Sequence, residues 1–109
     1  LSRPEEALPV LEAELALSRR YWSHDEECIL IAQTNVSICL GSLGRDDEAL
    51  VLKRAIYARR VATLGISHED TIRSGINISA SLLALPRWDE TRSLVLDTLL
   101  PAARRSLGP

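Results

Sequence analysis

The sequence has no methionine, only two cysteines and no long apolar run. Its apolar stretches fall far short of the roughly 20 residues that a membrane-spanning helix needs, so we predict a soluble segment. Cys28 and Cys39, if they share one helix, would lie about 16 Å apart along its axis, too far for a disulfide bond. We therefore expect reduced cysteines and an intracellular, cytoplasmic location.

The sequence also has no large excess of positive or negative charge. It contains 13 lysines and arginines and 15 acidic residues, and its formal net charge is −2. Such a balance creates no overall field that would attract nucleic acid or an anionic membrane. With 46% hydrophobic and 26% charged residues, the 109 residues are able to bury a core of one domain's size. The composition thus excludes a disordered chain, and we expect neither nucleic acid nor membrane insertion among its interactions.

Three short stretches repeat at a spacing of 42 residues. They are SRPEEAL at 2–8, GRDDEAL at 44–50 and PRWDETR at 86–92. Each contains an arginine that is followed three residues later by a glutamate. A longer match at the same spacing joins NVSICLGSLGRDDEAL from Asn35 to NISASLLALPRWDETR from Asn77. A fixed period of this length is the signature of a helical repeat array.

Apolar residues recur at helical spacing, and no strand pattern is present. We predict helices over 4–21, 28–43 and 70–85, and two more that begin near Asp46 and Trp88. The residues that would end these helices are Gly44 and Pro86 for the second and fourth, and the glycines of the Leu-Gly pairs 64–65 and 107–108 for the third and fifth.

Two antiparallel helices of this size cannot bury their apolar faces alone, so neighbouring pairs must stack and share a continuous core. We therefore predict an all-α fold, an α-solenoid of antiparallel helix pairs with five helices, as a single domain over 1–109. It would consist of a second helix at 1–22 and full repeats at 23–66 and 67–109, about two and a half repeats. We expect these residues to be an excerpt of a longer array.

Several repeated residues resemble one known family. The pattern is a histidine among acidic residues, an asparagine some nine to eleven positions later, a G-R-x-x-E-A turn and a closing Leu-Gly. It is similar to the tetratricopeptide repeats of kinesin light chain type, whose period is also near 42. The matching residues are His24, Asn35, Gly44, Arg45, Glu48, Ala49, His68 and Asn77. Pro86 and Thr91 depart from the pattern, and HEAT or armadillo repeats of similar length are the alternative fold.

The resemblance implies a right-handed superhelix whose first helices line a concave groove for a peptide or partner protein. Asn35 and Asn77 would then hydrogen-bond the backbone of the ligand. The flanking residues on the same helical faces are Ile31, Thr34 and Ile38 beside Asn35, and Arg73, Ile76 and Ala80 beside Asn77. The alternative is that each asparagine satisfies the backbone of a neighbouring helix turn.

Other polar clusters have plain structural interpretations. His24 and His68 lie among carboxylates, which also occur around metal ions, but each follows a serine with an acidic residue three positions after it, as in a capping box. Arginine doublets at 19–20, 59–60 and 104–105 fall late in second helices, where cations complement the helix dipole. A basic edge that contacts RNA or phosphate is the alternative interpretation.

No catalytic constellation is evident in the sequence, because its acids and bases are spread along predicted helix ends. We predict a chain that is not an enzyme and has no metal site and no cofactor. It would be a non-catalytic protein–protein interaction module that binds a peptide or partner protein in the groove. The alternative is a structural spacer or assembly subunit that contacts its neighbours through uncapped ends and a convex face, by self-association or within a large complex.

Overall fold

The computed structural model describes residues 3–85 and 87–107, and across these ranges the protein is all-α without a strand. The predicted roles of Pro86 and Gly108 as helix ends lie outside the described residues. The elements are α1 (Pro4–Tyr21), α2 (Glu26–Ser42), α3 (Asp46–Leu64), α4 (Glu69–Ala84), α5 (Trp88–Ser93), a π-helical turn (Leu94–Leu99) and α6 (Leu100–Leu107). The predicted helices are confirmed, with α2 beginning two residues earlier than expected.

The repeated Arg-x-x-Glu element begins a helix each time it occurs. The backbone carbonyls of Arg3, Arg45 and Arg87 accept the amide four residues ahead at 3.1, 3.0 and 3.1 Å. The same three guanidinium groups reach the glutamate three residues ahead, with nitrogen–oxygen distances of 3.0, 2.9 and 3.6 Å. Each glutamate also lies in the first turn of its helix, where a carboxylate complements the positive end of the helix dipole.

The capping boxes predicted around Ser23 and Ser67 are wrong. In α2 the cap is Asp25, whose carboxylate accepts the amide of Cys28 at 3.1 Å. In α4 the cap is His68, whose Nδ1 accepts the amide of Asp70 at 3.0 Å. The helices begin one or two residues further along than the serines, so the capping position falls on a different side chain.

Glycines end α2 and α3 in left-handed conformation. Gly44 has a φ of 75° and Gly65 a φ of 90°, a region that residues with a Cβ rarely adopt. Just after Gly44, the amide of Arg45 donates to the Leu40 carbonyl at 2.9 Å and satisfies one of the free carbonyls at the end of α2. Gly44 and Gly65 thus turn the chain as the sequence predicts.

The chain forms two compact units, Leu1–Leu52 and Lys53–Pro109, and the boundary between them falls inside α3. In the first unit, α1 and α2 run in opposite directions. The Cys39 thiol at the end of α2 donates to the Pro4 carbonyl at 3.1 Å, and the Cys28 thiol at its beginning approaches the Ser18 hydroxyl at 3.8 Å. The buried core of this unit consists of Leu8, Leu15, Ala32, Val36, Cys39, Leu40 and Ala49.

In the second unit, α4 packs between the second half of α3 and the elements that follow α4. Lys53 Nζ donates to the Ser81 hydroxyl at 2.9 Å, and the Thr71 hydroxyl donates to the Arg60 carbonyl at 3.3 Å, so α3 and α4 run in opposite directions. The buried apolar residues of this unit are Ile56, Ile78, Leu82, Leu99 and Ala102.

A π-helical turn interrupts the last helix. The amide of Leu100 donates to the carbonyl of Val95, five residues back instead of four. Pro101 follows directly, and a proline has no amide hydrogen and sterically opposes the carbonyl four residues before it in a regular α-helix. The wider turn accommodates this proline.

Within residues 3–85 and 87–107, we find no helix whose length and apolar character would let it cross a membrane.

Candidate functional site

The predicted site residues of α2 form a solvent-facing stripe. Ile31 and Ile38 are 52% and 53% exposed, and Asn35 is exposed between them at spacings of four and three residues. The opposite face of the helix, with Val36 and Leu40, is buried in the core. We call Ile31, Asn35 and Ile38 the α2 stripe. It is an apolar surface with one amide side chain at its centre.

Thr34 lies at the edge of the α2 stripe and is half-buried. Its hydroxyl donates to the Leu30 carbonyl one turn back, at 2.8 Å. This intrahelical bond uses the hydroxyl hydrogen, so Thr34 offers a ligand an oxygen acceptor and a methyl group.

The α4 residues form a second solvent-facing stripe. Arg73, Ile76 and Ala80 are exposed at spacings of three and four residues, and Ile76 is 56% exposed. Leu83, also 56% exposed, continues this line and was not predicted, although its spacing of three from Ala80 was a signal. We call Arg73, Ile76, Ala80 and Leu83 the α4 stripe. Asn77 is half-buried beside Ile76.

The cation predicted for the groove is already neutralised within its own helix. The guanidinium of Arg73 reaches Glu69 at 2.9 Å and Asp70 at 3.5 Å. Asp70 also lies 3.9 Å from the guanidinium of Arg60, so two arginines and two carboxylates balance at the start of α4. The α4 stripe is therefore an apolar surface with a nearly neutral end.

The two asparagine side chains have no hydrogen-bond partner among the residues that the structure describes. Within residues 3–85 and 87–107, neither the Asn35 amide nor the Asn77 amide makes a hydrogen bond to another side chain or to the backbone. Each amide group has two donor hydrogens and an acceptor oxygen. Both amides therefore keep unused donors and acceptors as far as the described residues are concerned.

A hollow opens beside Asn35 in the first unit. It has a volume of about 330 Å³ and is lined by residues of α1 and α2. Asn35 and Ile38 form part of its wall, with Pro4 and Leu11 of α1 opposite. The volume is at the lower end of the range for ligand pockets in proteins, so the hollow is large enough for a bulky side chain.

Two further cavities occupy repeat-equivalent places. One, of about 390 Å³, lies among α1, α2 and the start of α3, and the other, of about 500 Å³, lies among the second half of α3, α4, α5 and the π-helical turn. Six residues that line the first have counterparts 42 positions later that line the second: Glu12 and Arg54, Leu15 and Tyr57, Val36 and Ile78, Leu40 and Leu82, Glu48 and Glu90, Leu52 and Leu94. The repeat of the sequence is thus also a repeat of cavities.

Members of two arginine doublets and one of the two histidines make contacts within the protein. The Arg20 guanidinium lies 5.5 Å from the centre of the Tyr21 ring, and Arg60 is buried with its guanidinium 3.9 Å from Asp70. His68 caps α4, as described above. Among the described residues, no group of three or more His, Cys, Asp or Glu side chains is arranged to hold a metal ion.

Comparison with models of known protein families, with curated proteins and with solved structures finds no match for this chain. The resemblance to tetratricopeptide repeats therefore stays a prediction that depends on the motifs of the sequence.

Proposed function

We propose that the chain is a tetratricopeptide-like α-solenoid and works as a non-catalytic protein–protein interaction module. It binds a peptide or partner protein along the α2 and α4 stripes. Asn35 and Asn77 hydrogen-bond the partner's backbone, and the exposed isoleucines beside them pack against its side chains.

The observation that carries this proposal is the state of the two asparagines. Each is one repeat from the other, lies beside half-exposed isoleucines and has no hydrogen-bond partner among the described residues. A structural asparagine normally bonds the backbone nearby. An amide hydrogen bond contributes about 0.5–1.5 kcal/mol net, so two such residues are able to fix the register of an extended peptide.

Recurrence of local structure supports the repeat interpretation. Helix starts with the same hydrogen bonds occur at Arg3, Arg45 and Arg87, and cavities with equivalent walls occur in both units. A chain that repeats its contacts as well as its sequence is typical of helical arrays.

We also propose a cytoplasmic location and no catalytic role. Cys28 and Cys39 are free thiols, and Cys39 is buried, as suits a reducing compartment. Acidic and basic side chains at the helix starts form ion pairs with each other, such as Arg45 with Glu48, which suits a structural role.

An assembly role is the second candidate, and exposed apolar residues on α1 and the π-helical turn favour it. Val10 and Leu17 of α1 are 57% and 51% exposed, and Leu96 of the π-helical turn is 49% exposed. In a spacer or assembly subunit these residues would meet neighbouring subunits or a second copy of the chain.

The test is affinity capture from cell extract with the wild-type chain beside Asn35→Ala/Asn77→Ala, analysed by mass spectrometry. Fragments of a captured partner are then tested to find the peptide that binds, and the affinity of this peptide is measured by calorimetry. We expect the double variant to bind this peptide about tenfold to a hundredfold more weakly, because up to four hydrogen bonds are lost.

The matched control is Glu14→Ala/Asp47→Ala, which removes two exposed polar side chains from α1 and α3. Circular dichroism establishes that both double variants keep their helix content. Equal binding by the wild type and the asparagine variant would contradict the proposal and favour the assembly role.

A further inference from the structure

A line of exposed side chains follows the outer side of α5, the π-helical turn and α6. Trp88, Arg92, Leu96, Leu100 and Arg104 succeed one another at spacings of four residues, and all five are exposed. The apolar members, Trp88, Leu96 and Leu100, are 62%, 49% and 39% exposed. We call these five residues the last-helix stripe. A line of large apolar side chains in contact with solvent indicates an interaction surface.

The π-helical turn keeps the last-helix stripe on one side of the helix. In a regular α-helix, residues four apart differ in direction by about 40°, so a line of five such residues winds about 160° around the axis. The π-helical turn rotates less per residue, because its hydrogen bond spans five residues instead of four. It therefore offsets much of this winding and brings Leu96 and Leu100 towards the side of Trp88.

The contact between α3 and α4 shows which kind of element meets the end of a helix in this repeat. The guanidinium of Arg60 lies 3.9 Å from Asp70, and the Arg60 carbonyl accepts the Thr71 hydroxyl. The end of α3 thus meets the acidic start of an antiparallel helix. At the end of α6, Arg104 and Arg105 are exposed and make no ion pair with any residue that the structure describes. An antiparallel helix with an acidic first turn would complement them.

Charge is divided unevenly between the two units of the chain. The first unit, Leu1–Leu52, contains ten acidic and four basic residues, whereas the second unit, Lys53–Pro109, contains five acidic and nine basic residues. The first unit of one copy and the second unit of another copy therefore attract each other. This complementarity favours a second copy of the chain as the element that covers the last-helix stripe.

The surface of the first unit that fits best is α2. Residues 21–44 contain three acidic residues, Asp25, Glu26 and Glu27, and no lysine or arginine. These acids lie at the start of α2, and the apolar α2 stripe follows them along the same helix. The α4 stripe has a nearly neutral end, so it complements a pair of arginines less well.

We propose that the chain associates with a second copy of itself, with the last-helix stripe of one copy packed antiparallel against the α2 stripe of the other. Leu96 and Leu100 pack against the two isoleucines of the α2 stripe. Arg104 and Arg105 face the acidic start of α2. The proposal rests on the proposed role of the α2 stripe as an interaction surface, and it adds a competitor for that surface, because an associated copy covers the stripe that a partner peptide would use.

The experiment is sedimentation equilibrium of the purified chain over a range of protein concentrations. We expect the average mass to rise above that of the monomer as the concentration increases. Raising the salt concentration from about 0.05 M to about 0.5 M should weaken the association about tenfold, because salt screens the attraction between the two units.

Charge-reversed variants test the orientation of the contact. We expect Arg104→Glu/Arg105→Glu and Glu27→Lys each to weaken the association by about tenfold, because each places like charges together. An equal mixture of these two variants should associate again, since the unchanged α6 of one meets the unchanged α2 of the other. The matched control is Asp47→Lys, which reverses an exposed charge at the second residue of α3, as Glu27→Lys does in α2, and should leave the association unchanged.

Circular dichroism establishes that the variants keep their helix content. A chain that stays monomeric at every concentration, association that neither charge reversal weakens, or a mixture that fails to associate would overturn the proposal. Failure of the peptide-binding proposal is a separate result, because it is measured as unchanged affinity of Asn35→Ala/Asn77→Ala for a partner peptide.

Discussion

The carboxylate of Glu48 is held in its charged form by a neighbouring arginine. The hydrogen bond from Arg45 lowers the pKa of Glu48 and correspondingly raises that of Arg45. Both side chains are exposed, so solvent screens the attraction and its contribution to stability is small. A carboxylate with a lowered pKa in the folded state stabilises the fold above the pKa of the unfolded chain, and this stabilisation is lost as the pH falls through the lower, folded value.

We therefore predict that Glu48→Gln lowers the free energy of unfolding slightly at pH 7 and that this difference disappears in acid. Urea titrations at a series of pH values between neutrality and strong acid would measure it. Glu5→Gln is the control, because Glu5 also lies in the first turn of a helix but has no ion pair among the described residues. A difference from the wild type that stays constant with pH would contradict the prediction.

The functional importance of some residues is visible in the sequence, whereas that of others depends on the structure. Asn35 and Asn77 stand out because the repeat places them at equivalent positions of apolar helices. The Tyr57 hydroxyl, which is buried without a hydrogen-bond partner among the described residues, does not stand out in the sequence, because its environment depends on tertiary packing. The prediction that serines cap α2 and α4 was wrong because the capping residue is the one at which the helix begins. When the start of a helix shifts by one or two residues, a different side chain takes the capping position.

Gly75 of α4 allows the π-helical turn to approach closely. A Cβ at this position would meet the Leu99 side chain, with the γ carbon 3.2 Å away and both δ carbons nearer still. Leu99 is only 4% exposed, so it has little space in which to rotate away. The absence of a side chain at residue 75 thus determines how these two elements pack.

We predict that Gly75→Ala destabilises the protein by about 1 kcal/mol. Overpacking costs about 1–3 kcal/mol, and the higher helix propensity of alanine returns about 0.5–1 kcal/mol. In a Leu99→Ala background the same change should be stabilising, since the added methyl group then fills space. Chemical denaturation of the four proteins in this double-mutant cycle gives the coupling energy, and additive effects would contradict close packing.

The sequence predicts where the last helix begins but not its π-helical turn. Apolar periodicity and the Arg-x-x-Glu element locate the start at Trp88. Pro101 was the available signal for an irregularity, but it does not specify where the extra residue is accommodated. The turn lies at Leu94–Leu99 and brings Leu99 against Gly75, a contact that depends on tertiary packing.

At the scale of the whole molecule, α3 belongs to both compact units. Ala49 and Leu52 pack in the core of the first unit, and Ile56 is buried in the second. Loss of structure in either unit therefore removes support from the same helix. Helical arrays whose neighbours share contacts unfold cooperatively over short lengths.

We predict that Leu40→Ala and Leu82→Ala, which truncate repeat-equivalent buried leucines, each destabilise the whole chain by about 2–5 kcal/mol. Hydrogen exchange is the measurement. Leu40→Ala should accelerate the exchange of amides in α4 as well as in α2. Leu82→Ala should accelerate the exchange of amides in α2 as well as in α4. Acceleration that is confined to the unit with the substitution would show that α3 does not couple the two cores.

The order of the helices follows from the sequence, whereas the division into units does not. Repeated motifs mark where helices begin, so the all-α character and the helix bounds are predictable. The boundary between Leu52 and Lys53 depends on which side chains of α3 turn towards which core, and periodicity alone does not specify that. The stacking of helix pairs into a solenoid stays a prediction for the same reason.

The position of that boundary has a consequence for how such a chain can lengthen. The boundary lies inside α3, a short distance after the motif that begins at Arg45. A tandem copy of residues 45–86 would carry its own helix start and would supply the second half of one core and the first half of the next. We expect growth in steps of 42 residues to keep this order of helices, whereas an insertion that added a single helix would leave that helix without a partner.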